Sequence, residues 1–375
     1  MYILRAPIEI AMHNGTDYRL RGLAVVFRHG SRNPKAILRE GCSADLFTGI
    51  PMHLTREGER QVWQLGQKLK YCYSGIFSTT PTLKLHCSGL QRSVASGMVM
   101  LNSISPSSIP VVSGYSATTL PPWNSGVGIC PVTIEEGDER DSLFHGCKFD
   151  PTLRKKQKQW KKEVLFQCFE GQKWAHSLLD RIYGATKLQS FHPSREIYER
   201  VGGLKSLHNM LLTSKVEGHI YCSSAGLNFS ARELEFIAEI STRITLSKFP
   251  CNSEGRMWSH LATRKLRNML ASQGRSLSHG ADDCVALFSG HESTIVSLCN
   301  SLLQRSFEVP MYAGVLVLEY WIPAPHLKSY DSRLKLRLLY FPDYREIPNS
   351  RLDGHYEEGI YNSPTSQELQ HSLGL

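Results

Sequence analysis

The chain has 375 residues, 41% hydrophobic and 21% charged, which excludes a disordered polymer and allows at least one sizeable core. No stretch approaches the ~18 consecutive apolar residues of a membrane-spanning helix, and the most apolar one, 314–322, is interrupted by Glu319. The formal charge of +9, from 43 Lys+Arg against 34 Asp+Glu, favours anionic partners without choosing among phosphorylated molecules, acidic glycans, nucleic acid and lipid.

In chain order, the first element is the apolar run Leu23–Phe27, which feeds the polar loop Arg28-His29-Gly30-Ser31-Arg32-Asn33-Pro34. Short runs of this kind suit strands buried on both faces of a parallel sheet. A helix is expected over Leu54–Leu69 with Thr55 as its N-cap; Gly58 stands where a capping box wants a glutamate or glutamine. The same grammar returns twice. Leu83–Cys87 leads through Ser88-Gly89-Leu90-Gln91-Arg92 into a helical stretch from Ser93 to Leu101. Cys284–Phe288 leads through Ser289-Gly290-His291-Glu292 into Ser293–Leu303. Two more strands are expected over Tyr312–Trp321 and Leu334–Tyr340.

Repeated strand–loop–helix units predict an α/β fold with a mostly parallel central sheet and flanking helices. Residues 116–274 are more highly charged, carry Pro121-Pro122 at their start and show helical patterns with few strand signals. They are expected to form an inserted, mainly helical cap between core segments 20–115 and 275–375. The polar tail, 363–375, is expected to be flexible.

Ten cysteines with no C-x-x-C pair argue against ribbon-type zinc and thioredoxin-like motifs, and their even number suits several disulfides in an oxidising compartment. Asn14-Gly15-Thr16 and Asn228-Phe229-Ser230 are glycosylation sequons. Residues 1–20 hold no apolar signal region. The expected setting is therefore the secretory pathway (Golgi lumen, lysosome or outside the cell) with any signal or anchor outside this chain; the alternative is the cytoplasm.

Ligands of open α/β sheets bind beyond the carboxyl ends of the strands. The three loops should thus deliver Arg28, His29, Arg32, Arg92, His291 and Glu292 to one place. Guanidinium forks match phosphate oxygens and stay charged, while Gly30 allows close backbone approach. A neutral imidazole can attack phosphorus, and a neighbouring carboxyl can protonate the leaving oxygen. No metal or other cofactor is needed. His291-Glu292 does not open a zinc-protease H-E-x-x-H motif, because position 295 is Ile. Gly202-Gly203 lacks the strand–helix frame of a nucleotide loop, and Cys87 has no C-x5-R loop after it. The bland alternatives are a structural His29, a surface Arg92 and a Glu292 that only caps its helix.

Arg28-His29-Gly30-x-Arg32-x-Pro34 resembles the R-H-G-x-R-x-P signature of the histidine acid phosphatases, placed after a strand as in that family. Leu54-Thr55-x-x-Gly58, Arg92, Ser289-Gly290-His291-Glu292 and Leu316–Trp321 resemble further family elements in the right order. The resemblance implies a phosphohistidine intermediate on His29. It makes Arg28, Arg32 and Arg92 the phosphate clamp, His291 a further donor, and Glu292 the proton donor where the family usually has aspartate. Cys130-Pro131-Val132 after a Trp/Ser/Gly-rich loop resembles family members that dephosphorylate the 2-phosphoxylose of the proteoglycan linkage region, which implies a role in glycosaminoglycan synthesis. Inositol polyphosphates and lysophosphatidate remain open as substrates. A non-catalytic phosphate-binding protein is the alternative of a different class.

The densest basic run, Lys155-Lys156-Gln157-Lys158-Gln159-Trp160-Lys161-Lys162, reads as a solvated helix face or as a docking patch for a polyanionic glycan. No nucleic-acid partner and no transmembrane segment are expected.

Overall fold

The computed structural model describes residues 18–34, 49–106, 108–113, 128–135, 143–144, 150–169, 173–187, 189–217, 228–303, 307–323, 334–352 and 365–375. Its strands are β1 (Tyr18–Arg28), β2 (Thr82–Ser88), β3 (Ser108–Ser113), β4 (Gly128–Glu135), β5 (Cys284–Gly290), β6 (Val315–Pro323) and β7 (Lys335–Phe341). They form one sheet in the order β3-β4-β2-β5-β1-β6-β7. The pairings from β3 to β1 are parallel, and β6 and β7 close one side antiparallel. The mostly parallel sheet read from the apolar runs is present.

The helices are α1 (Arg56–Cys72), α2 (Ser74–Ser78), α3 (Gln91–Ile104), α4 (Pro151–Phe169), α5 (Lys173–Thr186), α6 (Ile197–Val216), α7 (Ala231–Leu246), α8 (Ser253–Ala262), α9 (Arg264–Ser278), α10 (Glu292–Leu302) and α11 (Ser366–Leu373). The alternation of strand side chains sorts them onto two faces. Leu23, Val25, Phe27, Val285 and Leu287 pack with α1 and α3 through Val62, Leu65, Met100 and Leu101. Ala24, Val26, Ala286 and Phe288 pack with Leu270 of α9, Leu298 of α10 and Leu369 of α11. With both faces covered, every residue of β5 is buried, which is why the run carried no polar alternation. Helices α5, α6 and α7 share a separate apolar cluster that includes Leu179, Leu204 and Ile240. None of the described helices is long and apolar enough to cross a membrane.

Three expectations are corrected. Residues 366–373 of the supposed flexible tail form α11: a Thr365–Glu368 capping box starts the helix, and Leu369 and Leu373 dock it on the sheet layer. Strand β4 lies within the stretch expected to be helical and pairs with β2, so the sheet extends beyond the anticipated core segment. No disulfide forms among the described residues. Cys72, Cys87, Cys168, Cys251, Cys284 and Cys299 are thiols, and four of them are buried as small apolar groups at separate positions in the core. Cys42, Cys147, Cys222, the side chain of Cys130 and the sequon at Asn14 lie outside what the structure describes.

Candidate active site

Sheet register brings the three predicted loops together. Arg28 is aligned with Gly290 across β1 and β5, and Cys87 with Ser289 across β2 and β5. The residues that follow these strands therefore emerge side by side at their carboxyl ends. His29 N–H donates to Gly290 O (3.2 Å), and Ser289 Oγ donates to Ser93 O (2.6 Å), tying the loops to one another.

The R-H-G and L-T-x-x-G elements prove to be two sides of one contact. A Cβ on Gly30 would lie 2.1 Å from Gly58 O, and a Cβ on Gly58 would lie 2.1 Å from Ser31 O. Only two glycines allow the loop backbone to sit this closely on the first turn of α1. Thr55 caps α1 as expected, its Oγ1 accepting from Gly58 N (3.0 Å). Gln61 Oε1 accepts from Ser31 N (2.9 Å), and Gly30 N donates to Ser96 Oγ (3.2 Å).

His29 is buried. Its Nδ1 faces Gly30 O at 2.8 Å, so the proton sits on Nδ1 and the Nε2 lone pair is exposed to an acceptor role. Arg92 Nε donates to that Nε2 at 3.0 Å. Burial, then His291, Arg28 and Arg92, push the His29 pKa well below its ordinary 6.5, outweighing the Gly30 carbonyl. The result is a neutral imidazole with a directed lone pair. The His291 ring stands edge-on at 5.5 Å, its Nε2 bonded to Ser88 Oγ (2.7 Å).

Arg28 is buried, its Nη1 donating to Pro310 O (2.7 Å) and its guanidinium lying 4.4 Å from the centre of the Tyr312 ring. Arg92 is lowered to about 10 by burial and by the fields of Arg32 and Arg28. Arg32 is also lowered, first by burial. Mutually repelling cations in a partly buried cluster call for an anion. All six residues predicted from the sequence fall at this end of the sheet.

Glu292 opens α10, where a carboxylate suits the helix N-terminus. Its partners were not foreseen. Oε1 accepts from Lys205 Nζ (2.7 Å) and Thr245 Oγ1 (3.1 Å), and Oε2 lies 3.6 Å from Arg28 Nη1. Burial raises the carboxyl pKa, but Lys205, Arg28 and Lys248 together hold it well below its ordinary value. Glu292 is thus a carboxylate here, and Lys205 is itself lowered to about 8 by burial.

Helix α6 supplies other unforeseen contacts. At its end, Glu217 Oε1 accepts from Ser31 Oγ (2.8 Å) and Thr55 Oγ1 (2.6 Å). Thr213 Oγ1 meets Tyr312 Oη at 3.2 Å. No sequence signal marked these contacts: Lys205, His208, Asn209 and Thr213 share α6 with Glu199, Arg200, Ser206, Ser214 and Lys215, so no single polar face stands out. Beside the arginine cluster lies a cavity of about 450 Å³ whose walls include Arg32, Arg154, Lys158, Lys161, Lys205 and Lys248, with no acid among the described lining residues. Of the basic run on α4, Lys158 and Lys161 face this cavity, whereas Lys156 pairs with Glu254 (2.9 Å) and Lys162 lies over the Tyr198 ring.

Solved structures share this fold over almost the whole chain. The phytase of Hafnia alvei superimposes with a TM-score of 0.60 at 12% identity, covering 96% of this chain and 98% of that one. Phytase from Klebsiella sp ASR1 gives 0.60 at 16% identity, covering 96% of each chain. The multiple inositol polyphosphate phosphatase of Bifidobacterium longum, in complex with phosphate, gives 0.56 at 11% identity over 90% of each. No protein-family model and no curated protein matches the chain. The chain therefore has the α/β fold of these phosphatases.

Proposed function

We propose that the protein is a phosphomonoester hydrolase of the histidine acid phosphatase type. The observation that carries this reading is the His29 geometry: a neutral ring with Nδ1–H held by Gly30 O and Nε2 directed at Arg92 within a cluster of three arginines. A phosphate bound by Arg28, Arg32 and Arg92 would present phosphorus to Nε2. Attack forms the P–N bond as the P–O bond breaks, and the leaving oxygen takes a proton from Glu292. Water then displaces the histidine and releases inorganic phosphate. His291 would add a hydrogen bond to the phosphoryl oxygens.

The cavity favours a leaving group that is itself anionic, because six cations converge there. Structures of the Hafnia alvei and Bifidobacterium longum proteins hold myo-inositol hexakis sulphate and inositol hexasulfate, which makes an inositol polyphosphate the first substrate to assay. A linkage glycan bearing 2-phosphoxylose is the second, since the exposed Lys155 and Lys162 continue the positive surface of α4 beyond the cavity.

The test is phosphate release from para-nitrophenyl phosphate between about pH 4 and 8, beside His29→Ala. The expected result is turnover on the acid side that His29→Ala abolishes, with phosphoprotein trapped by acid quench only when His29 is present. Equal turnover in the variant, or none in either protein, would overturn the reading.

A further inference from the structure

The lysine that holds Glu292 also lines the polycationic cavity. Lys205 Nζ donates to Glu292 Oε1 at 2.7 Å and hydrogen-bonds Thr245 Oγ1, while the same side chain forms part of the cavity wall with Lys161 and Lys248. Both partners are largely shielded, at 18% and 16% exposure. The pair poses a chemical problem for the reaction just proposed, because a carboxylate fixed to an ammonium carries no proton to give.

Among the described residues, the charged groups facing Glu292 act in the same sense: Lys205 from α6, Arg28 and Arg32 from β1 and its loop, and Lys248 from the segment after α7. His208 of α6 also faces it, its own pKa lowered chiefly by burial. An anion in the clamp offsets Arg28 and Arg32 but leaves Lys205 in place. Only a second anion, seated in the cavity, offers the ammonium another partner.

We propose that Lys205 is a substrate-sensing positioning residue: a second anionic group in the cavity draws its ammonium away from Glu292, and the released carboxyl then takes a proton from solvent and delivers it to the leaving oxygen. The inference rests on the phosphatase reading. The proton balance closes. Glu292 gives its proton as the P–O electron pair passes to the leaving oxygen, and it regains one from the water that attacks the phosphohistidine, whose P–N electron pair returns to Nε2. Selectivity for polyanionic substrates then arises in the chemical step as well as in binding.

Two measurements test it. The first needs no turnover and leaves Lys205 intact. In His29→Ala protein near pH 6, calorimetric binding of myo-inositol hexakissulfate in buffers of differing ionisation enthalpy should show uptake of about one proton more than inorganic sulfate, which does not itself titrate there, does. The added change Glu292→Gln should remove that difference. An uptake that Glu292→Gln leaves untouched, or no uptake, overturns the proposal. The second is the pH profile of Lys205→Met. For para-nitrophenyl phosphate, which has no second anion, the falling limb should move up by about one pH unit, raising turnover above it about tenfold. Preference for inositol polyphosphate should fall. A uniform loss at every pH marks a merely structural lysine and overturns the proposal. Failure of the phosphatase reading looks different: the unaltered protein turns over neither substrate, while the calorimetric result still decides the role of Lys205.

Discussion

Gly58→Ala separates local helix preference from the demands of the site. Gly58 is the third residue of α1, and on an isolated helix alanine there would gain up to ~1 kcal/mol. In the folded protein the new methyl would lie 2.1 Å from Ser31 O and 2.7 Å from Ser31 N, backbone atoms with little room to yield. Ordinary contact lies beyond about 3 Å, so the Ser31 peptide must withdraw by roughly 1 Å, a shift passed directly to Arg32 and through Gly30 to His29. Overpacking of this size costs about 1–3 kcal/mol, which cancels or exceeds the helix gain. A ~1 Å displacement at a reacting centre costs about 100-fold in rate. The expected outcome is a near-normal thermal midpoint with kcat on para-nitrophenyl phosphate lowered about 100-fold. Gly184→Ala in α5, where an added Cβ meets nothing within 4 Å, is the control that should gain stability and keep full activity. A Gly58→Ala protein with kcat within about threefold of the unaltered chain would refute the argument that the loop depends on this contact.

Two further outcomes concern stability. Glu319 is fully buried and accepts from Tyr73 Oη (2.7 Å), Trp321 Nε1 (2.8 Å) and Arg337 Nη2 (3.1 Å). Arg337→Met strands that carboxylate and should cost about 3–5 kcal/mol in urea unfolding, most of it recovered when Glu319→Met is added; a loss under ~1 kcal/mol would contradict the assignment. The pH dependence follows from His29, whose folded pKa is lowered, so the unfolded chain binds the proton first. Its contribution is fully present above pH 6.5 and is lost as pH falls from there toward the folded value. Thermal midpoints should therefore drop on acidification below about 6.5, and His29→Ala should flatten part of that drop; parallel curves for the two proteins would count against it.

The sheet centre was legible because β1, β2 and β5 are short apolar runs that end in loops rich in arginine and histidine. The Thr55 cap was legible because capping chemistry is local. The partners of Glu292 were not. Lys205 and Thr245 stand 87 and 47 residues from it, on helices whose packing no local pattern specifies. Strand β4 was hidden among charged neighbours, and α11 among polar ones, although Leu369 and Leu373 carry the i, i+4 spacing that docks it. The cysteine count misled for the described residues because buried thiols also serve as ordinary core groups.

Strand β1 sits between β5 and β6, both encoded in the last third of the chain. Arg21 and Asp283, bonded where β1 begins its pairing with β5, are 262 residues apart. A ribosome adding ~5–20 residues per second needs on the order of ten seconds or more to bridge that gap. Throughout that interval the nascent chain holds out Leu23, Val25, Phe27 and two unpaired strand edges, the surface on which chaperones and aggregation compete. The strand that delivers His29 is thus made before the two strands that flank it, which places assembly of the candidate active site late in the synthesis of the sheet.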